Sequence, residues 1–540
     1  MVITPNSDVI LLKCPLELDE RNQLSFTSKN AQYNYFYNLP KMVVGTDYTY
    51  VRKDNYIRVD ELIDNLYQYN YVMYRNDSYS NKWFYAFIER MEYVNDRVTN
   101  VYIKCDTFQT WQFDLKYKRT FVEREHVNDD TIGANTIPEN LELGDYQIVD
   151  LTNVPIYETS QPLQDWSICF CVTKLLGSWT EINGEITDIG GVFNSCHYFA
   201  VNSAMAARSV IQAYETTQGN TSEDIINIYM IPRCCVDEIE NPTIITGGTY
   251  NVALYPVKQA YNSGTYWTEQ SSRLAGGYQP VNNKLYTYPF SYFYATNNTG
   301  EDVTYRWEDF PIVNGHRRAS YRKMIVPSTS LSAKIYFTNI KGYEEESGYG
   351  SKPYNYGLNF SKVPVCAWTT DYYTNWLTQN GVNVATNLTS GVLSGLSAIG
   401  SGGNPIQGTA SLISTIGGTL GEVQRASTTP NQAHGNINTG DFVFAYLRNS
   451  ISFYDMSIRP EVARVCDNFF SMFGYKVNRV KVPNVTGRYN WNYVKTIGCY
   501  IEADIPQDDL QEIKSMFDNG LTIWHRSNTF MDYSQSNPIV

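Results

Sequence analysis

The residues that come nearest to catalytic machinery in this chain are two carboxylates and a histidine in the run FVEREHV, Glu123, Glu125 and His126, and three glutamates in KGYEEESGYG, Glu344, Glu345 and Glu346. A glycoside hydrolase needs two carboxyl groups about 5–10 Å apart across a cleft, one held protonated by its surroundings. Alternation places Glu123 and Glu125 on one face of a strand, where a solvated pair is the simpler reading. The triple glutamate reads as a charged loop. His126 beside Glu125 would make an acid–base dyad, but no nucleophile motif such as G-x-S-x-G accompanies it. No catalytic residue is therefore assigned, and the chain is not expected to be an enzyme. Aromatic side chains could bind sugars by stacking, and Trp267, Tyr288, Tyr305 and Trp307 are candidate platforms. The competing reading makes them core residues of a β domain.

Ten cysteines lie at 14, 105, 169, 171, 196, 234, 235, 366, 466 and 499. Zinc sites are marked by C-x-x-C or clustered Cys/His spacing. The nearest approaches here are Cys169–Cys171, Cys196–His197 and Cys234–Cys235, which read as reduced, packed thiols. No metal and no cofactor are expected.

The elements that would position these residues are mainly β. The chain has 540 residues, 14% aromatic with 45 tyrosines and only 18% charged. That composition suits pleated, half-buried surfaces better than long amphipathic helices, and the length calls for several domains. Alternation predicts strands at Asn55–Val59, Tyr69–Tyr74, Trp83–Ile88, Val98–Lys104 and Thr120–Glu125, with turns at Asp77-Ser78 and Asn95-Asp96. Asp106 is placed to cap a short helix carrying Phe108 and Trp111. Near the C-terminus, Tyr493–Thr496, Tyr500–Glu502 and Leu521–Trp524 read as strands. Between the last two, Asp504 and Pro506 open a helix bearing Leu510, Ile513 and Phe517, which Gly520 stops. Tyr-Ile-x-x-Asp occurs at both ends (Tyr102–Asp106, Tyr500–Asp504), which suggests similar β domains with a flanking helix. The middle is Tyr-, Asn- and Gly-rich, with turns at Asn241-Pro242, Gly247-Gly248, Gly276-Gly277 and Asn298-Thr299-Gly300.

The formal net charge is −13. Gripping nucleic acid by its phosphates takes the opposite sign, so tight DNA binding is not expected, whereas DNA could slide past an acidic wall. The first twenty residues lack a cationic region before their apolar run, and no stretch has eighteen consecutive apolar residues. Synthesis and folding in a reducing cytoplasm are expected, without a signal peptide or spanning helix.

One segment departs from all this. Tyr372–Gly421 contains no Asp, Glu, Lys, Arg or His. Its aliphatic residues have helical spacing: Val392, Leu393, Leu396 and Ile399 in one arm, Leu412, Ile413, Ile416 and Leu420 in another. Gly400–Pro405 forms the turn between them, followed by Ile406. A buried hairpin, a linker and a membrane-active loop all fit. The aliphatic stripes speak against a linker, and each arm is too short to cross a bilayer as one helix.

The motifs NKWFYAFI (81–88), QTWQFD (109–114), FVEREHV (121–127), FGYKVNRVKVPN (473–484), NYVKT (492–496) and DLQEIKSMFDNGLTIWH (509–525) resemble the tail knob, or distal tail-tube, proteins of small podoviruses of Gram-positive hosts. The resemblance covers about the first 150 and last 100 residues; the middle fits by length and position. It implies a homo-hexameric tube at the distal end of a virion tail. Two tube-like β domains would line the lumen, with inserted β domains outside or below. An apolar loop before the C-terminal tube domain would plug the tube and help open the host membrane. The resulting division is 1–155 (N-terminal tube-like domain), 156–375 (inserted β domains), 376–437 (the loop, shorter than the longest in that family) and 438–540 (C-terminal tube-like domain). Expected partners are the other five copies, the upper tail tube or collar, tip proteins, the host membrane, and DNA in passage. Six copies would carry −78 formal charges. A receptor-binding or wall-degrading tail protein is the alternative.

Overall fold

A computed structural model describes residues 7–48, 50–51, 54–76, 82–155, 166–176, 186–189, 192–216, 224–238, 243–247, 250–298, 300–327, 332–341, 357–360, 366–369 and 450–540. Strands dominate, as the composition implies, and the chain divides into two units. One comprises 1–146, 273–290 and 458–540; the other comprises 147–272 and 291–457.

Among the described residues the first unit contains two large sheets and a two-stranded one, Lys116–Tyr117 with Ile501–Glu502. Seven strands form the larger, in the order Lys41–Tyr48, Ser7–Leu12, Tyr71–Asn76, Trp83–Asn95, Val98–Cys105, Tyr56–Val59 and Tyr50–Val51. The two end strands are one residue apart in the chain, so the sheet bends round upon itself. This explains the unbroken apolar run Val9–Leu12, since both faces are covered. Val9 and Leu11 pack with Ile57, Val59, Val72 and Val101, whereas Ile10 and Leu12 pack with Phe36, Tyr71, Trp491 and Trp524. Phe36 comes from the helix Lys29–Tyr37, capped by the Ser28 hydroxyl accepting from Ala31 N at 3.2 Å. Its ring stacks on Tyr71 with centroids 5.5 Å apart.

The second sheet takes strands from both ends of the chain: Asn22–Leu24, Leu521–Trp524, Trp491–Ile497, Thr120–Glu125 and Tyr475–Lys481, in that order. Both neighbours of Thr120–Glu125 are thus C-terminal strands. The helix Gln507–Asn519 lays Leu510, Ile513 and Phe517 on Val494, Leu521 and Ile523. Gly520 stops it with φ +97°, and a Cβ there would meet the Tyr493 hydroxyl at 2.3 Å. Asp504 does not cap this helix. The cap is Pro506, which carries no side-chain acceptor, and Asp508 and Asp509 supply negative charge in the first turn instead. Asp106 does cap its helix, Thr107–Trp111, accepting from Gln109 N at 3.0 Å and from the Tyr71 hydroxyl at 2.9 Å. Burial raises its carboxyl to about 7.

Residues 273–290 return to the first unit from the middle of the sequence, a contribution the linear reading did not draw. Carboxylates hold them, two buried and one half-buried. Asp467, on the helix Pro460–Phe473, accepts from the Tyr278 hydroxyl (2.8 Å), Val281 N (2.8 Å), Asn282 N (2.9 Å) and Asn282 Nδ2 (2.8 Å). Asp130 accepts from Asn283 N at 3.2 Å and from the Tyr475 hydroxyl. Glu139 bridges the Lys284 ammonium and the Arg124 guanidinium, and takes Lys476 N at 2.9 Å. Lys284 lies over the rings of Phe470 and Tyr475, and burial lowers its pKa against the pull of Glu139.

Among the described residues the second unit has three sheets. One runs Tyr146–Pro155, Ser450–Ile458, Ser291–Thr296, Asp302–Tyr305. Another is centred on Trp166–Val172, flanked by Val192–Val201 and Ile225–Pro232. The third is built on His316–Val326, with Tyr266–Glu269 on one side and Ser332–Phe337 on the other. Phe293 stands in an aromatic cluster with Tyr305, Trp307, Phe310, Phe337 and Phe453. Asp455 is buried there, accepting from Trp307 Nε1 and Ser271 N, each at 2.8 Å; burial raises its carboxyl to about 7.

The seam at Asp467 leads to a prediction. Asp467→Ala removes the acceptor for four donors, at an expected cost of about 3 kcal/mol or more. Urea unfolding should show a clearly lowered midpoint, with residues 273–290 opened to protease in native buffer. A midpoint equal to wild type would show that the seam does not hold the segment.

Candidate functional site

The strand Thr120–Glu125 carries the nearest thing to an active-site constellation, and the structure takes it apart. A bulge between Val122 and Arg124 sets two residues of this strand against one of Trp491–Ile497, because Val122 faces Thr496 and Arg124 faces Lys495. The extra residue breaks the alternation that would have put Glu123 and Glu125 on one face. Glu123 lies on the outer side, paired with Lys495 at 2.9 Å. Glu125 is not solvated: its side chain is 0% exposed and accepts from the Lys481 ammonium and from Asn484 N at 2.8 Å. The two carboxylates do not flank a shared cleft.

His126 is buried with both ring nitrogens engaged by backbone. Nδ1 accepts from Tyr493 N at 2.8 Å, which leaves Nε2 to donate to Ser471 O at 3.1 Å. Burial, reinforced by the nearby Arg488 charge, drives its pKa down to about 3. A histidine locked as one neutral tautomer holds strands in register; it does not shuttle protons. Just beyond, Gly474 has φ +65°, and a Cβ there would come within 2.2 Å of Glu125 O. Glu344, Glu345 and Glu346 lie outside the described residues.

The cysteines follow the packing reading where they are described. Cys169, Cys171, Cys196 and Cys235 lie in the core of the second unit, with Cys234 packed against it. Burial pushes the Cys169 thiol well above its ordinary value. Among the described residues no group of His, Cys, Asp and Glu could hold a metal ion, and no helix is long and apolar enough to cross a membrane.

The aromatic candidates divide. Trp307 and Tyr305 are core residues, 1% and 7% exposed. Trp267 is 58% exposed, with the Arg318 guanidinium 5.2 Å from its ring, and Tyr288 in the first unit is also exposed. Val392, Leu393, Leu396, Ile399, Ile406, Leu412, Ile413, Ile416 and Leu420 all lie outside the described residues. Sequence reasoning missed the acidic seam of Asp130, Glu139 and Asp467. The available signal was the asparagine pair at 282–283 beside Lys284, three consecutive polar residues between Val281 and Leu285.

Comparison with known proteins agrees with the architecture. Residues 254–538 match the family model for the C-terminal domain of the tail knob protein gp9 of Bacillus phage phi29, and residues 5–116 match the N-terminus of the caudoviral major tail protein. The chain is 28% identical to tail knob protein gp9 of Bacillus phage phi29 and 27% identical to that of Bacillus phage PZA, each alignment covering 98% of both proteins. A solved structure, the tail knob protein gp12 of bacteriophage C1, shares the fold at a TM-score of 0.63 and 12% identity, over 99% of this chain and 100% of that one. With a family model matched over more than half its length, the chain belongs to the phi29 gp9 tail knob family and is a structural component of a phage tail.

Proposed function

We propose that six copies of this chain form the distal tube of a short tail, through which genomic DNA is ejected without being gripped. The apolar segment within 376–437 plugs that tube and then takes part in penetrating the host membrane. The reading places the protein at the distal end of the virion tail, against the upper tube or collar and the tip proteins, after assembly in the host cytoplasm. One observation carries it: the uncharged run Tyr372–Gly421 falls inside the stretch matched by the tail knob family model. In a chain with 97 ionisable Lys, Arg, Asp and Glu residues, fifty consecutive positions without one call for a role in which charge is excluded. Lipid contact is such a role, because a charged residue at the centre of an inserted helix costs about 2.5–3.5 kcal/mol. An acidic lumen suits DNA passage, since phosphates find no counter-charge to hold them.

The reading assigns no catalysis. Its support is that Glu125 and His126 are consumed by structural contacts. Receptor contact is a compatible second role, favoured by exposed Trp267 beside Arg318.

Two measurements test the proposal. Native protein in mass photometry should give a species near six times 61.8 kDa; a monodisperse single chain at micromolar concentration would sink the tube. Deleting 383–421, or combining Leu396→Asp with Ile413→Asp, should leave that species intact while abolishing dye release from liposomes. Release at the wild-type rate would make the segment a spacer or a core hairpin.

A further inference from the structure

The second sheet of the first unit is buried on the face that carries Val494, Leu521 and Ile523, whereas its other face is covered at Trp491 and Trp524 and turns outward towards Lys495 and Ile497. On the outward face three apolar side chains lie in a single row across adjacent strands. Phe121 faces Val480 on one side and Ile497 on the other. Val480 and Ile497 are 59% and 58% exposed, and Phe121 is half-buried between them. The row runs to the margin of the sheet, because Val480 is on Tyr475–Lys481, the last strand in the order. Glu139 occupies the start of that margin by taking Lys476 N. From Asn478 onward no strand lies beyond it among the described residues, and Val482, just past its end, is exposed too.

The charge around this face is unlike that of the chain. Between Asn468 and Ile501 there are five cations, Lys476, Arg479, Lys481, Arg488 and Lys495, and no Asp or Glu, although the whole chain carries −13. Glu125 and Glu123 answer Lys481 and Lys495 from the neighbouring strand, and Arg488 is turned inward onto the Val127 and Asn537 carbonyls; the cations exposed at the margin are Arg479 and Arg119, whose guanidinium donates to Val480 O at 3.5 Å.

An apolar row beside an open strand edge has few suitable partners. Lipid cannot satisfy the backbone groups of an edge, and DNA has no use for a row of Val, Phe and Ile. A protein surface meets both demands, and one with acidic character complements the cations. The chain itself is such a surface. We propose that the row Val480–Phe121–Ile497, with the strand edge at Asn478–Lys481, is the face on which a second copy of this chain seats. The contact is heterologous, a basic apolar edge against a different, acidic surface of the neighbour, which is the type of interface that closes rings. This rests on the proposed ring and assigns one of its contact faces.

The test compares wild type with the double variant Val480→Asp, Ile497→Asp. Both side chains point outward, so the subunit should fold with an unchanged melting temperature. Mass photometry should show the wild-type multimer and, for the variant, a single chain of 61.8 kDa. A variant that keeps the wild-type mass overturns the placement and leaves the ring standing, whereas a wild type that is itself a single chain overturns the ring. A photo-crosslinking amino acid in place of Val480 gives a second readout. An adduct of twice the chain mass is expected from purified protein. A crosslink confined to one chain, or no crosslink, would show that something else covers this face or that nothing does.

Discussion

Burying a carboxylate commits the surrounding chain to supply donors, and the first unit is organised around that obligation at Asp467. The group sits on the inner face of the helix Pro460–Phe473, where water does not reach it. Two backbone amides, an asparagine amide and a tyrosine hydroxyl answer it, all from residues 278–282. Glu139 and Asp130 repeat the arrangement a few residues away. An unanswered charge here would be ruinous, so a segment from the middle of the sequence belongs to a unit otherwise built from the two ends. The unit's membership follows the donors, not the order of the chain.

The same economy accounts for three polar groups that have the look of chemistry, Glu125, His126 and Glu139. Each is spent on architecture. Glu125 anchors the turn around Asn484, His126 joins Tyr493 to Ser471, and Glu139 bridges two cations. Buried polar groups that are fully partnered fix register and exclude alternatives. His126 shows this most fully, with one ring nitrogen accepting from Tyr493 N and the other donating to Ser471 O.

Much of the strand content was legible because exposed-and-buried alternation is a local property. Thr120–Glu125 and Leu521–Trp524 were read with their observed limits, and the helix carrying Leu510, Ile513 and Phe517 with its glycine stop. Three features escaped for physical reasons. The bulge at Glu123 depends on the neighbouring strands, which come from residues more than 350 positions away, so no local pattern announces it. Asp504 resembles a cap because Asp before an apolar helix usually is one, but Pro506 starts the helix two residues later. The seam at 278–284 is a tertiary match between donors and acceptors with no periodicity. The apolar segment is a feature of composition and lies outside the described residues, and the family resemblance came from extended motifs at both ends, not from any one residue.

The pairing of Thr120–Glu125 has a consequence for synthesis. Both strands beside it lie between residues 475 and 497, so while the ribosome is still working through the middle of the chain this strand has no neighbour on either side. Residues 273–290 likewise wait for Asp467. The first unit therefore cannot close on the nascent chain, even though its N-terminal strands emerge first; it closes only after the other unit's sequence has been translated. Long-range pairing of this kind is slow. A polypeptide cut short before residue 475 would present an unpaired strand with Phe121 on it, ready substrate for proteases and chaperones, and would never offer a finished sheet to the growing particle.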